Sequence, residues 1–394
     1  MTLAVFGGKP VITDPIKKFS TIGEEEVEAV AAVCGGYPLS GFLGGVDRDG
    51  HWVTSLEERW QEIFRVKHAI ACNSATSGLF TACIATQVNS KSNVLTTPFT
   101  MSATSAAPAL LGANLIYGDI EEKTFNLQPI VPEEMRQGKI THCIVTNLFG
   151  HPARLSWWGK AADTYNFKLI EDNAQSPFAT CDGKFAGTFG HLGVFSLNVH
   201  KHIQVGEGGI IVTDDDDLAL RCRRFINHGE LSGSITPSLN LRMTEPAAAM
   251  AHAQLNKAPT IIRDRQKQAL LLRSAVAGFD WIVPPWTYGD CTHVYYSWAC
   301  KILSSKLNIS RDRIVRSIQA EGFPMTPGYV EPLYRMKAFH NPDRPFTLPT
   351  TERMHDQELA IVENCTYTFS DRQIAQFTEI LKKIETFRDS LRTK

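Results

Sequence analysis

The sequence predicts an α/β fold: a mostly parallel, doubly wound sheet in a large domain, followed by a smaller C-terminal α/β domain. Three observations predict it. Short apolar runs rich in Val, Ile and Leu alternate with longer helical patterns through the first two thirds of the chain, the signature of strands joined by helical crossovers. Those runs are apolar at successive positions, as strands covered on both faces require. A long helical pattern over 260–278 then interrupts the alternation. With 394 residues the chain is long enough for two domains. The pattern divides them into 1–259, an N-terminal arm and the large domain, and 260–394, a connecting helix and the small domain.

The strands are expected at HAIAC (68–72), NVLTT (93–97), NLIYGD (114–119), HCIVTN (142–147), KLIED (168–172), GVFSL (193–197) and GIIVTD (209–214). Between them TSGLFTACIATQ (76–87), SWWGKAADTYN (156–166) and DLALRCRRFIN (217–227) have helical spacing. After TIIRDRQKQALLLRSAVAG (260–278) come an apolar segment, HVYYSWACKIL (293–303), a helix opened by Ser310, and a proline-rich loop from Phe323 to Pro349. The closing helical segment, 370–392, begins with Ser370 and Gln373 at the spacing of a capping box. Internal repeats and low-complexity tracts are absent from the sequence.

Composition excludes several classes of partner. A formal net charge of -1 with dispersed basic residues offers no footprint for nucleic acid or an anionic membrane surface. No uncharged apolar run approaches the 18 or so residues of a membrane span. The opening MTLAVFGGKPVITDP lacks the basic start and apolar run of a signal peptide. Nine cysteines without a C-x-x-C pair suit a reducing compartment better than a disulfide framework, and each reads as a small buried apolar side chain. A soluble, cytoplasmic chain is the expectation.

The stretch NVHKHIQVGEGG (198–209) sets a lone lysine, Lys201, between two histidines and ahead of three glycines. A metal site on His200 and His202 would need three or four convergent donors, and no acidic or cysteine ligand stands at ligand spacing, so no metal is expected. A phosphate loop is excluded by order, because the glycines precede a strand rather than open a helix. A reactive lysine remains. A lysine that carries pyridoxal 5'-phosphate requires a carboxylate for the ring nitrogen and a cradle for the phosphate. Asp172 ends the apolar run KLIED, where ligands of α/β sheets bind, although it also reads as a helix N-cap. The small residues of CNSATSG (72–78) follow a strand and open a helix, where backbone N–H groups can meet a phosphate. Ser74 and Thr76 add hydroxyls, although a simple cap would look the same.

With these residues in place, the chain resembles the DegT/StrS-type sugar aminotransferases, pyridoxal-phosphate enzymes of the aspartate aminotransferase fold. The resemblance spans nearly the whole chain. It is carried by GGKP (7–10), PLSGFLGG (38–45), NSATSGL (73–79), TPFTMSATSAAPALLGA (97–113), FGHPA (149–153), EDNAQS (171–176), GKFAGTFGHLGVFS (183–196), HKHIQVGEGG (200–209), LNLRMTE (239–245) and GFPMTPGYVEPLY (322–334). It implies that Lys201 is the catalytic, cofactor-carrying lysine and moves the substrate proton. It likewise implies that Asp172 partners the ring nitrogen and that Gln175 lies near the ring hydroxyl. Ala75, Thr76 and Ser196 match phosphate contacts. Asn240 matches an asparagine reaching the phosphate of a neighbouring subunit, which implies a homodimer with shared active sites. Met101 stands where the family usually stacks an aromatic on the ring, and Phe99 is the nearby aromatic.

The resemblance implies transamination from glutamate or glutamine to a nucleotide-linked keto sugar by a ping-pong cycle, with a keto-inositol or related cyclic ketone as the alternative acceptor. The opening GGKP is similar to members acting on keto-inositols. Members that remove a hydroxyl carry histidine in place of the lysine, so Lys201 argues against a dehydratase. It argues equally against a non-catalytic binding protein, which has no use for the amine. Tyr329 and Tyr334 lie in the loop where the family meets its substrate.

Overall fold

Along each central strand, neighbouring side chains enter different cores, as a doubly covered sheet demands. The computed structural model describes residues 2–36, 38–41, 51–229, 237–340 and 345–393; of the block PLSGFLGG, residues 42–45 lie outside them. In chain order the elements that build the site are α1 (Glu24–Gly36), α2 (His51–Phe64), β1 (His68–Cys72), α3 (Ala75–Ala85), β2 (Asn93–Thr96), α4 (Ala103–Leu110), β3 (Asn114–Tyr117), β4 (His142–Thr146), α5 (Leu155–Tyr165), β5 (Lys168–Asp172), β6 (Leu192–Ser196), β7 (Gly209–Thr213) and α6 (Asp216–Ile226).

The seven strands form one sheet in the order β1-β7-β6-β5-β4-β2-β3. The expected α/β, mostly parallel sheet is present: β7 alone runs antiparallel, to both β1 and β6, and the other pairings are parallel. Ile210 and Val212 of β7 pack with Leu56 and Trp60 of α2, whereas Ile211 between them packs with Leu79 of α3 and Cys222 of α6. Burying each such aliphatic side chain contributes about 1.5–3 kcal/mol, so a one-residue slip of β7 would exchange both cores at once.

Helix α7 (Glu245–Val276) is 32 residues long and begins well before the expected start at 260. Pro259 lies inside it and interrupts neither the helix nor its burial. A proline removes one backbone bond and crowds the preceding turn. Here Ala251 and Leu255 pack against the large sheet and Ala269, Leu272 and Val276 against the small one, and that burial on both sides of Pro259 offsets the local cost. One helix thus carries the chain across positions 259 and 260.

Beyond it, β8 (Ile282–Val283), β9 (Trp298–Ile302), α8 (Arg311–Ala320), β10 (Thr326–Pro327), β11 (Leu359–Val362) and α9 (Asp371–Thr386) complete the chain's main elements. The four strands form an antiparallel sheet in the order β8-β9-β11-β10. Ser310 accepts from Arg313 N–H as the N-cap of α8. The capping box of Ser370 and Gln373 opens α9 as the spacing predicts. Among the described residues no helix is long and apolar enough to cross a membrane.

Candidate active site

The parallel strands end together, and the segments leaving their C-terminal ends line a cavity of about 290 Å³. Thr146 ends β4, Asp172 ends β5 and Ser196 ends β6; all three face it, with Ala75, Thr76, Met101, Gln175 and Lys201. Seven of the eight residues expected at the site therefore converge from segments more than 120 positions apart. Asn240, the eighth, does not line the cavity. It is exposed, bridged to Asn227, and next to Leu241, whose carbonyl accepts from Asn73 N–H at 2.8 Å in the loop leaving β1.

The antiparallel strand explains where Lys201 stands. A hairpin joins β6 to β7, with Leu197 N–H bonded to Gly208 O and Val199 N–H to Gly206 O. Its turn folds Lys201 back toward the strand ends, with Lys201 N–H bonded to Asn198 O at 2.9 Å. Lys201 is 8 % exposed, and Nζ lies 4.3 Å from the centre of the Tyr296 ring. Burial pushes its ammonium pKa down to about 8 against the attraction of Asp172. The two flanking histidines part company. His200 is exposed at the cavity mouth, while His202 is fully buried and bonded through Nε2 to Val294 O at 2.8 Å. Burial holds the His202 imidazole neutral, with its pKa lowered to about 4, so the pair does not converge on a common ligand.

Asp172 caps no helix. One carboxylate oxygen accepts from Ala174 N–H at 3.2 Å and the other from Thr104 Oγ1 at 2.6 Å. Thr104, on the first turn of α4, is in turn 3.1 Å from Thr100 Oγ1. Burial raises the Asp172 pKa, while these donors and Lys201 oppose the rise. Glu171, one residue earlier, projects from the opposite face, as strand alternation requires. Its carboxylate accepts from the N–H groups of Gly187, Phe189 and Gly190 at 2.6–2.7 Å. The glycines of GKFAGTFGHLG serve this wrap: a Cβ on Gly193 would sit 1.9 Å from Gly187 O. That block wraps the buried Glu171 carboxylate.

At the other end of the cavity, Ser74 accepts from Ser77 N–H at 3.1 Å and opens α3. Ala75 and Thr76 occupy the first turn, where backbone N–H groups lack helical partners. Gly209 lets β7 pass directly beneath them. A Cβ there would meet Ser74 C at 2.6 Å and Ala75 N at 2.7 Å, so the last glycine of the triplet is demanded by close approach.

Gln175 is held from both sides: Oε1 accepts from Phe149 N–H at 2.8 Å and Nε2 donates to Tyr329 Oη at 3.0 Å. Met101 is 50 % exposed on the cavity wall, whereas Phe99 is fully buried against Tyr329 and takes no part in the lining. Tyr334 packs with Tyr117 and Leu333 and donates to Glu352, away from the cavity. Sequence reasoning missed Thr104, Tyr296 and Asn198. Thr104 lies within the TPFTMSATSAAPALLGA block, but no local pattern ties it to Asp172. Tyr296 arrives because Gly150, at φ 101, leaves room for the backbone of Tyr295 and Tyr296 2.6 Å from where its Cβ would be.

Three comparisons bear on this arrangement. The DegT/DnrJ/EryC1/StrS aminotransferase family matches residues 21–381. The GDP-perosamine synthase of Caulobacter vibrioides is 27% identical over 300 residues, 74% of this chain and 79% of that one. Among solved structures, an aminotransferase from Psychrobacter cryohalolentis superposes with a TM-score of 0.85 at 26% identity, covering 94% of this chain and 98% of its own. DesI, solved in the presence of its TDP-sugar product, superposes with a TM-score of 0.84 at 26% identity, covering 98% and 96%.

Proposed function

Because the chain belongs to the DegT/DnrJ/EryC1/StrS aminotransferase family, whose members are pyridoxal-phosphate-dependent sugar aminotransferases, we propose that it moves an amino group from glutamate or glutamine to a keto sugar carried on a nucleotide. The observation that carries this reading is a buried amine whose pKa is brought down to about 8, sharing one cavity with a buried carboxylate and a helix N-terminus. The similarity to a GDP-perosamine synthase and to DesI with its TDP-sugar product supports a nucleotide-linked acceptor. We infer a homodimer in the cytoplasm, with Asn240 serving the partner's site.

The donor set fits pyridoxal phosphate. Lys201 would carry it and Asp172 would face the ring nitrogen, with Gln175 and Met101 beside the ring. Ala75, Thr76 and Ser196 would hold the phosphate at the N-terminus of α3, where the helix dipole favours an anion. Bound there, the group supplies an electron sink for the pair released when the substrate C–H bond breaks. The protein's own residues do the rest. Thr104 and Ala174 N–H stabilise the ionised form of Asp172 against the cost of burial. Lys201 Nζ, with a pKa near working pH, can take a proton from substrate carbon and return it. The Tyr296 ring, 4.3 Å from Nζ, covers one side of that nitrogen.

The experiment is a visible absorption spectrum of the purified protein with pyridoxal phosphate, before and after glutamate or glutamine, then after keto sugars with and without a nucleotide. The expected result is a cofactor band that changes with donor and returns with acceptor, giving an amino sugar. Borohydride reduction should place the pyridoxyl group on Lys201. Label on another lysine, or a deoxy-keto product containing no new amine, sinks the proposal.

A further inference from the structure

Cys181 and Cys291 face one another across an antiparallel bridge, 110 positions apart in sequence. The flanking backbone bonds run from Asp182 N–H to Asp290 O and from Thr292 N–H to Thr180 O, each 2.8 Å. Bonds made by the residues on either side, rather than by the pair itself, define a non-hydrogen-bonded cross-strand site. At such a site the Cα atoms approach to about 4.5 Å and the side chains lie closest, within the span of roughly 4.4–6.8 Å that a disulfide bridges. The two sulfurs are 2.8 Å apart, so backbone register and side-chain placement agree. Among the described cysteines this is the pair in sulfur contact. Cys34 is exposed, and Cys72, Cys83, Cys143, Cys222, Cys300 and Cys365 are buried elsewhere.

We propose that Cys181 and Cys291 are a redox-modifiable pair that closes reversibly into a disulfide. The bond would clasp a segment behind the sheet to one that reaches the active site. Thr180–Cys181 pairs with Lys184–Phe185 in the hairpin that leads into the wrap around Glu171. Cys291 leads into Val294, whose carbonyl holds His202, and into Tyr296 beside Lys201. The proposal stands on this geometry and not on the amino-transfer reaction.

With a peroxide as oxidant the step balances. The Cys291 thiol donates toward the Cys181 sulfur, which keeps Cys181 below the ordinary thiol value and makes it the nucleophile. Its sulfur attacks one oxygen of hydrogen peroxide; the O–O bond breaks, a sulfenic acid forms, and the other oxygen leaves with the thiol proton as water. The Cys291 sulfur then attacks the Cys181 sulfur, forming the S–S bond and displacing the hydroxyl, which leaves with the Cys291 proton as a second water. Two electrons pass from the two sulfurs to the peroxide. Cys181 is 2 % exposed and Cys291 half-buried, so the pair is open to solvent on the Cys291 side.

Asp290 completes a Cys-Asp-Cys group that a metal could use, yet its carboxylate already pairs with Arg154 at 3.8 Å. The directly opposed, non-hydrogen-bonded cross-strand placement of the two cysteines favours the disulfide.

The test uses the full-length protein loaded with pyridoxal phosphate, with one equivalent of hydrogen peroxide, then non-reducing digestion and mass spectrometry. The expected result is a peptide pair joining Cys181 to Cys291, split by dithiothreitol. A higher melting temperature should accompany the bond, because it closes a long loop in the unfolded chain. Cys291→Ser and Cys291→Ala should each lose the cross-link and the oxidant-dependent rise in melting temperature, while Cys34→Ser keeps both. Two substitutions at Cys291 guard against one that fails to fold. The proposal is overturned by a bond between other cysteines, by a sulfinic acid at Cys181 without cross-link, or by one equivalent of zinc retained by wild type and lost in Cys291→Ser.

Discussion

Thr104 Oγ1 donates to Asp172 Oδ2 at 2.6 Å at the C-terminal end of the central strand, joining residues 68 positions apart on α4 and β5. Burial alone would favour the neutral acid at Asp172, and a neutral acid lends no negative charge to a ring nitrogen. The threonine opposes that tendency, which makes it a positioning residue for the carboxylate.

Thr104→Val keeps the shape and removes the donor. Leaving a buried carboxylate oxygen without its partner costs about 1–3 kcal/mol, and pyridoxal phosphate affinity should fall about tenfold or more. Thr104→Ser should recover most of it. Fluorescence titration with the cofactor measures the effect, and equal affinity for Thr104→Val and wild type would remove Thr104 from the account.

Lys201 makes stability depend on pH in a direction set by its lowered pKa. Below about 8 the amine is protonated in folded and unfolded chains alike, and the full cost of burying the charge is present. Between about 8 and the ordinary 10.5 the unfolded chain holds more protons, so this group makes stability rise with pH. The gain is complete above the unfolded value and is on the order of 3 kcal/mol. Urea unfolding of cofactor-free wild type and Lys201→Met across that window should show the rise in the difference between them. Parallel pH profiles for the two proteins would contradict it.

Gly209→Ala places a methyl group where Ser74 and Ala75 backbone atoms stand within 2.8 Å. Overpacking of this kind typically costs about 1–3 kcal/mol, and here it displaces the first turn of α3. The expected outcome is a lower melting temperature together with weaker binding of inorganic phosphate and pyridoxal phosphate. A lower melting temperature with phosphate affinity untouched would separate Gly209 from the cradle.

Asn240 provides the test of a shared site. Mixed and reassociated subunits carrying Lys201→Ala and Asn240→Ala should regain part of the activity that each parent lacks, because one hybrid site holds both native residues. Dead hybrids from parents that fold and dimerise would show that Asn240 does not serve a neighbouring subunit.

The central sheet is legible in the amino-acid order, because buried parallel strands are written as local runs: KLIED is β5 to the residue, and HAIAC is β1. The same order also singled out Lys201, Asp172 and the Ser74–Thr76 turn, since a small-residue loop, an acid at a strand end and a lysine in a glycine-flanked turn are each visible within a few residues. What it left open depends on contacts between distant segments. Helix α7 crosses Pro259 because two cores bury its flanks, and a local proline signal carries no trace of either. Whether Asp172 capped a helix was open until the backbone beyond it turned away, and its bond from Thr104 comes from distant α4. The glycine triplet pointed to a turn near the site, but the position of Gly209 beneath Ser74 and Ala75 comes from the folding of two distant segments onto each other. Close approach, burial and hydrogen bonding act between atoms brought together by the fold, whereas periodicity and turn chemistry act between neighbours in the chain.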